Sequence, residues 1–233
     1  MATKYQASIV RKRVLRILGS VYPDTLRVWD TVVKAGKSFP EAHPLHKVRL
    51  DDEEDHVAVI NAARDADALI LLPAAMLRIY QTGIANIVKG EASALLDAMN
   101  KEAILGALPD LARLSRERSF PILYTGRPTF SPDCSEDPTC FLNRKKLLLR
   151  LERPQLAYII DPFNRPSFIW TSGARTYDFC FQCRTLLRTT IDTGRSSAWE
   201  ELPQAFGLSS WEELRKAADQ DSDEEMADDD QDS

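Results

Sequence analysis

The sequence predicts a mainly α fold, with a Pro-rich, Cys-bearing second half and a disordered acidic tail. Three observations predict it. Apolar residues recur at three- and four-residue spacing along most of the chain. Segments that read against regular helix gather in three places, Lys37 to Glu54, Phe120 to Asp137 and Leu156 to Trp170. Between Asp219 and Ser233 there are nine Asp or Glu and no Lys or Arg, and Met226 is the one large apolar side chain. Such a tail cannot offset the entropy of ordering it.

The elements follow in order. Val10, Val14, Ile17, Leu18 and Val21 share one helical face over Tyr5 to Val21, ending before Pro23. Asp24 or Thr25 caps a second helix bearing Leu26, Trp29, Val32 and Val33, which Gly36 stops. Lys37 to Glu54 reads as a loop. Its acidic run, Asp51 to Asp55, favours the N-terminus of a helix over Asp55 to Asp67. Ala68 to Gln81 is a further helix with Pro73 in its first turn. Helical pieces follow at Glu91 to Asn100 and Lys101 to Arg118, the latter restarting near Pro109.

Phe120 to Asp137 reads as a long loop and Thr139 to Arg153 as helix. Pro162 and Pro166 keep Leu156 to Trp170 irregular, with short extended pieces at Ala157 to Ile160 and Phe168 to Trp170. Asp178 to Phe206 forms a long helix with a break at Gly194, and a last helix starts after Ser209 or Ser210. The expected divisions are residues 1–22, 23–118, 119–217 and a tail of 218–233.

Composition narrows the function classes. The 233 residues are 44% apolar and 28% charged, an ordinary globular balance. The longest apolar run, Ala68 to Leu77, is half of what a membrane span needs, about 20 residues. The first residues lack a charged-then-apolar leader, so an intracellular protein with reduced cysteines is expected. The net charge of −5 divides unevenly: residues 1–218 hold all 30 basic groups against 26 acidic ones, a mildly basic body. Arg11, Lys12, Arg13 and Arg16, with Arg144, Lys145, Lys146 and Arg150, would serve a nucleic-acid-associated transcriptional regulator. A body charge of only +4 speaks against nucleic acid as the partner.

Catalytic signatures are missing. No Gly-rich phosphate loop, nucleophile elbow or His-Glu-x-x-His helix occurs, and the nine glycines do not cluster. His43 and His46 lie in a Pro-bounded loop, and His56 sits near a helix start as an exposed or capping residue. A helical enzyme would have to gather them in one cleft. Trp29, Trp170, Trp199 and Trp211 fall on apolar faces and read as core.

The cysteines form the one chemical constellation, Cys134-x5-Cys140 and Cys180-Phe-Gln-Cys183. Two-residue spacing lets one turn present both thiolates to a single ion, and four thiolates close a tetrahedral structural zinc site. Two alternatives stand beside one structural zinc ion. Cys140 and Cys183 can pack as small apolar residues with Cys134 and Cys180 exposed, or the second pair can be a redox motif without its usual strand-to-helix context.

Three stretches carry a family resemblance: Ile9 to Leu18 followed by Tyr22 to Asp30; Val59 to Leu77; and Cys180 to Cys183 with Trp199 to Leu208 and Trp211. Together they resemble the helical region that follows the BTB/POZ fold in mushroom-type (basidiomycete) fungal BTB/POZ domain-containing proteins. The similarity spans most of residues 5–217 in the family's order. It implies a helical array following a missing or vestigial BTB fold, with residues 1–22 resembling that domain's closing helix. It also implies a non-catalytic protein–protein interaction scaffold or adaptor, with other proteins as partners and no membrane. Homodimerisation and cullin binding rest on the strand-bearing part that lacks a counterpart here, so neither is carried over.

Overall fold

Proline and glycine punctuation divides this chain into short helices, and burial selects which faces they share. The computed structural model describes residues 13–35, 53–124, 131–151, 161–163 and 178–227, which are mainly α-helical and contain no strand. Among them no helix is long and apolar enough to cross a membrane. The expected extended pieces at 157–160 and 168–170, together with His43, His46 and Trp170, lie outside the described residues. The chain divides into Met1–Ala107 with Pro203–Ser233, and Leu108–Leu202. That places the division ten residues or so before the expected 118/119 boundary and groups the last helix with the first unit.

In the first unit, residues 13–19 form α1, and Val21 and Tyr22 are buried just beyond it. Helix α2 (Leu26–Ala35) buries Trp29 and Val32. The Asp24 carboxylate, expected as a cap, takes the Arg215 Nε at 2.5 Å while Arg215 Nη2 donates to the Asp24 carbonyl. Helix α3 (Glu53–Asp65) begins two residues earlier than expected, because Glu53, Glu54 and Asp55 all suit its first turn. It buries Val57, Ile60 and Ala63.

The segment expected as one helix from Ala68 opens as a 3-10 turn, Leu69–Leu71. Helix α4 (Leu72–Thr82) follows, with Pro73 in its first turn, and is buried along most of its length. Helices α5 (Ile84–Lys89), α6 (Glu91–Leu95) and α7 (Ala98–Gly106) are short. The piece expected over Glu91 to Asn100 is interrupted because Leu96 takes an extended conformation, with its side chain buried.

Two polar contacts tie this unit together, one of them through His56, which was expected as an exposed or capping residue. His56 is half-buried on α3, where its Nδ1 lies 2.7 Å from the Tyr22 hydroxyl. Arg64 Nε donates to Asn100 Oδ1 at 2.7 Å, and Asn100 is fully buried.

The second unit begins with α8 (Leu108–Leu114), which widens into a π turn, Ser115–Ser119. Helix α9 (Pro121–Tyr124) then occupies part of what the sequence suggested was loop. Helix α10 (Asp137–Leu151) starts two residues before the expected Thr139, with Pro138 at its second position, where a missing N–H is harmless. Helix α11 (Phe181–Glu200) runs unbroken through Gly194, contrary to the expected interruption. The chain turns at Glu201 into the short α12 (Leu202–Ala205), so the helix expected to reach Phe206 is two helices.

Helix α13 (Trp211–Ala227), back in the first unit, buries Trp211 and Leu214. It extends through residues 218–227, which were expected to be disordered. No Pro or Gly interrupts them, and adding residues to an existing helix is far easier than starting one. Residues 228–233 lie outside the described residues.

Candidate metal centre

The Cys-x-x-Cys pair opens α11. Cys180 is the N-cap, with φ −57° and ψ 163°, and its Sγ accepts the Cys183 N–H at 3.5 Å. A sulfur thus does the work that Ser or Asp oxygen does at most helix starts. Cys183, one turn on, is fully buried, and Cys180 is 5% exposed rather than open to solvent.

Cys140 sits in the first turns of α10, fully buried, and its Sγ accepts the Cys180 N–H at 3.2 Å. Cys134 precedes that helix in a turn closed by Ser131 Oγ, which accepts the Asp133 N–H at 3.1 Å. Its half-buried Sγ lies 3.7 Å from that of Cys180.

All four Sγ atoms lie within 4.8 Å of one another. A tetrahedron with metal–sulfur bonds of about 2.3 Å has sulfur–sulfur edges of about 3.8 Å. The observed cluster is therefore close to the size of a four-thiolate cage and could hold a metal ion. All four cysteines are free thiols.

The electrostatics point the same way. Burial opposes ionisation of Cys180, but main-chain hydrogen bonds from Cys183 and Ser135, with the neighbouring Cys183 and Cys134 side chains, bring it down to about 6. Burial pushes Cys183 up to about 11 and Cys140 higher still. One thiolate therefore forms readily, while its buried neighbours need a cation to ionise beside it.

Apolar side chains enclose the sulfurs, with Leu123, Leu147, Phe179 and Leu187 in the same buried cluster. Polar anchors hold the frame. Asn143 Nδ2 donates to the Asp178 carbonyl at 2.8 Å, tying α10 to the residues that lead into Cys180. Arg184 Nη2 donates to the Phe179 carbonyl at 3.0 Å. Arg144, expected among exposed cations, is buried and donates from Nη2 to the Leu123 carbonyl at 2.9 Å.

The four predicted ligands are thus brought together. Arg13 and Arg16 are exposed on α1, Lys145 and Lys146 are exposed on α10, and Arg144 is removed from solvent. Arg11, Lys12 and the Arg150 side chain lie outside the described residues. Sequence reasoning missed Ser131, Ser135 and Asn143, and read Arg144 only as a member of the basic set. Asn143 alone carried a signal, three residues after Cys140 and hence on the same helix face.

No family model matches this sequence, and comparisons with curated proteins and with solved structures find no match either.

Proposed function

We propose that this chain is a non-catalytic protein–protein interaction scaffold whose second unit is held by one structural zinc ion on Cys134, Cys140, Cys180 and Cys183. The observation that carries the zinc assignment is the convergence of four sulfurs within 4.8 Å from a turn and two helices. Four thiolates match zinc's preference and leave no open coordination position, so the ion would be structural. Zinc binding in small sites supplies an apparent 10–16 kcal/mol (on the order of a domain's whole stability), which suits a small unit punctuated by prolines. The adaptor role rests on the resemblance to the helical region of fungal BTB/POZ proteins and on the mainly helical architecture. Free thiols in that cage suit an intracellular compartment.

The test is metal content of protein purified without chelator, with thermal melting before and after a strong chelator. About one zinc per chain, lost with a large fall in melting temperature, is the expected result. No stoichiometric metal and an unchanged melt would overturn the zinc assignment. For the scaffold, quantitative affinity purification should enrich a defined protein set with the wild type and lose it with Cys183→Ser. Enrichment of nucleic acid instead would favour the regulator reading.

A further inference from the structure

Helix α10 is amphipathic on its core side, yet its solvent side is not simply polar. Opposite the buried Cys140, Asn143 and Leu147 stand Leu142, 55% exposed, and Leu149, 66% exposed. Seven residues apart, they lie on one line along the helix. Exposed Lys145 and Lys146 stand on either side of that line, and Lys145 Nζ lies 4.5 Å from the centre of the Phe141 ring.

From Pro138 to Leu151 the helix has no Asp or Glu, so it lacks the intrahelical counter-charges that usually accompany lysines on a solvated face. Among the described residues no ion pair joins either lysine to a carboxylate. A single exposed leucine means little. Two aligned leucines bracketed by unpaired cations form a small apolar seam with a positive rim.

We propose that this face of α10 docks an acidic amphipathic helix of a partner protein. The partner's apolar side chains would lie on Leu142 and Leu149, and its carboxylates would meet Lys145 and Lys146. Helix-on-helix recognition uses apolar anchors at helical spacing; here Leu142 and Leu149 supply i and i+7, while Lys145 and Lys146, at i+3 and i+4, select the partner's sign. A membrane surface fits less well, because interfacial helices need a broad apolar face and α10 commits its other side to the protein core. Nucleic acid would make no use of the leucines. The inference rests on the scaffold reading, and it gives the cysteine cage a further consequence, since Cys140 anchors the base of the docking helix.

The test uses the full chain and two stapled helical peptides with leucines at i, i+3 and i+7. One carries glutamates around them and the other lysines. Fluorescence anisotropy should show about tenfold tighter binding of the acidic peptide. Lys145→Glu with Lys146→Glu should reverse that preference, and Leu142→Ser with Leu149→Ser should weaken both peptides. Reversal cannot arise from misfolding.

Equal binding of the two peptides, a preference untouched by charge reversal, or binding of phosphatidylserine vesicles without either peptide would overturn the proposal. Zinc content and melting temperature are read on the same samples. Intact metal and melting without peptide binding would sink the docking face alone. Peptide binding by a metal-free chain would support the face while overturning the zinc assignment.

Discussion

Gly194 lies directly against the main chain of Arg118: a Cβ at position 194 would stand 1.8 Å from the Arg118 carbonyl oxygen and 3.0 Å from the Ser119 Cα. The contact brings α11 against the π turn at a separation that only glycine allows. The neighbours are backbone atoms and cannot swing aside. Glycine inside a helix is otherwise unfavourable by about 0.5–1 kcal/mol relative to alanine, so packing must outweigh propensity here.

Gly194→Ala should therefore destabilise the second unit by about 1–3 kcal/mol despite the better helix propensity. Gly106→Ala is the control, because a Cβ there meets nothing within 4 Å. It should be neutral or slightly stabilising. Thermal melting of the two variants against wild type checks both signs.

Arg195, 2% exposed, points its Nε and Nη2 at the Phe163 carbonyl, at 3.1 and 2.9 Å. Phe163 in turn meets the Trp199 ring edge-on at 5.1 Å. Replacing the guanidinium by an apolar chain leaves that carbonyl without its fork of donors. Arg195→Met should lose about 2–3 kcal/mol, read as a lower urea midpoint at unchanged slope.

Helix α13 opens with a reciprocal cap. Ser210 Oγ accepts the Glu213 N–H at 3.3 Å, and Glu213 Oε2 accepts the Ser210 N–H at 2.9 Å. Ser210→Ala should lower stability by about 1 kcal/mol at neutral pH. The hydrogen bonds from the Ser210 main chain and side chain hold the Glu213 carboxyl below its usual range. A depressed carboxyl stabilises the fold above its unfolded pKa, and that contribution disappears as pH falls through the folded value. The stability gap between wild type and Glu213→Gln should accordingly narrow on acidification, as denaturation at stepped pH values would show.

The elements most legible in the sequence were those whose signals are local. Pro73 placed itself in the first turn of α4, and the 3.6-residue spacing of Val57, Ile60 and Ala63 marked the buried face of α3. The four cysteines were legible as a set because their spacing already restricts what one turn can present. The tightness of Gly194 was not legible, since its reason is a carbonyl far away in sequence, and local rules read the glycine as a breaker. Arg144 misled for the same reason. Charge suggests solvent until a buried carbonyl such as that of Leu123 is brought within reach. The acidic segment was judged on composition, which omits the Ser210–Glu213 cap that starts its helix.

The cysteine cage itself makes a graded prediction. Cys183 is fully buried under Leu187 and its neighbours, whereas Cys134 is half-buried on a turn. Replacing either by serine removes one of four ligands, so both variants should lose stoichiometric zinc and the stability that comes with it. They should part company once metal is gone. Cys134→Ser changes a partly solvated position, and chelated wild type and Cys134→Ser should melt together. Cys183→Ser places a hydroxyl in an apolar shell, an additional loss of about 1–3 kcal/mol, and should melt lower than either. Because the ligands must be thiolates, the melting gap between zinc-loaded and chelated wild type should also shrink as the solution is acidified. Zinc analysis beside calorimetry of the three proteins tests the whole order. Chelated wild type, Cys134→Ser and Cys183→Ser melting alike would mean that Cys183 contributes nothing through packing.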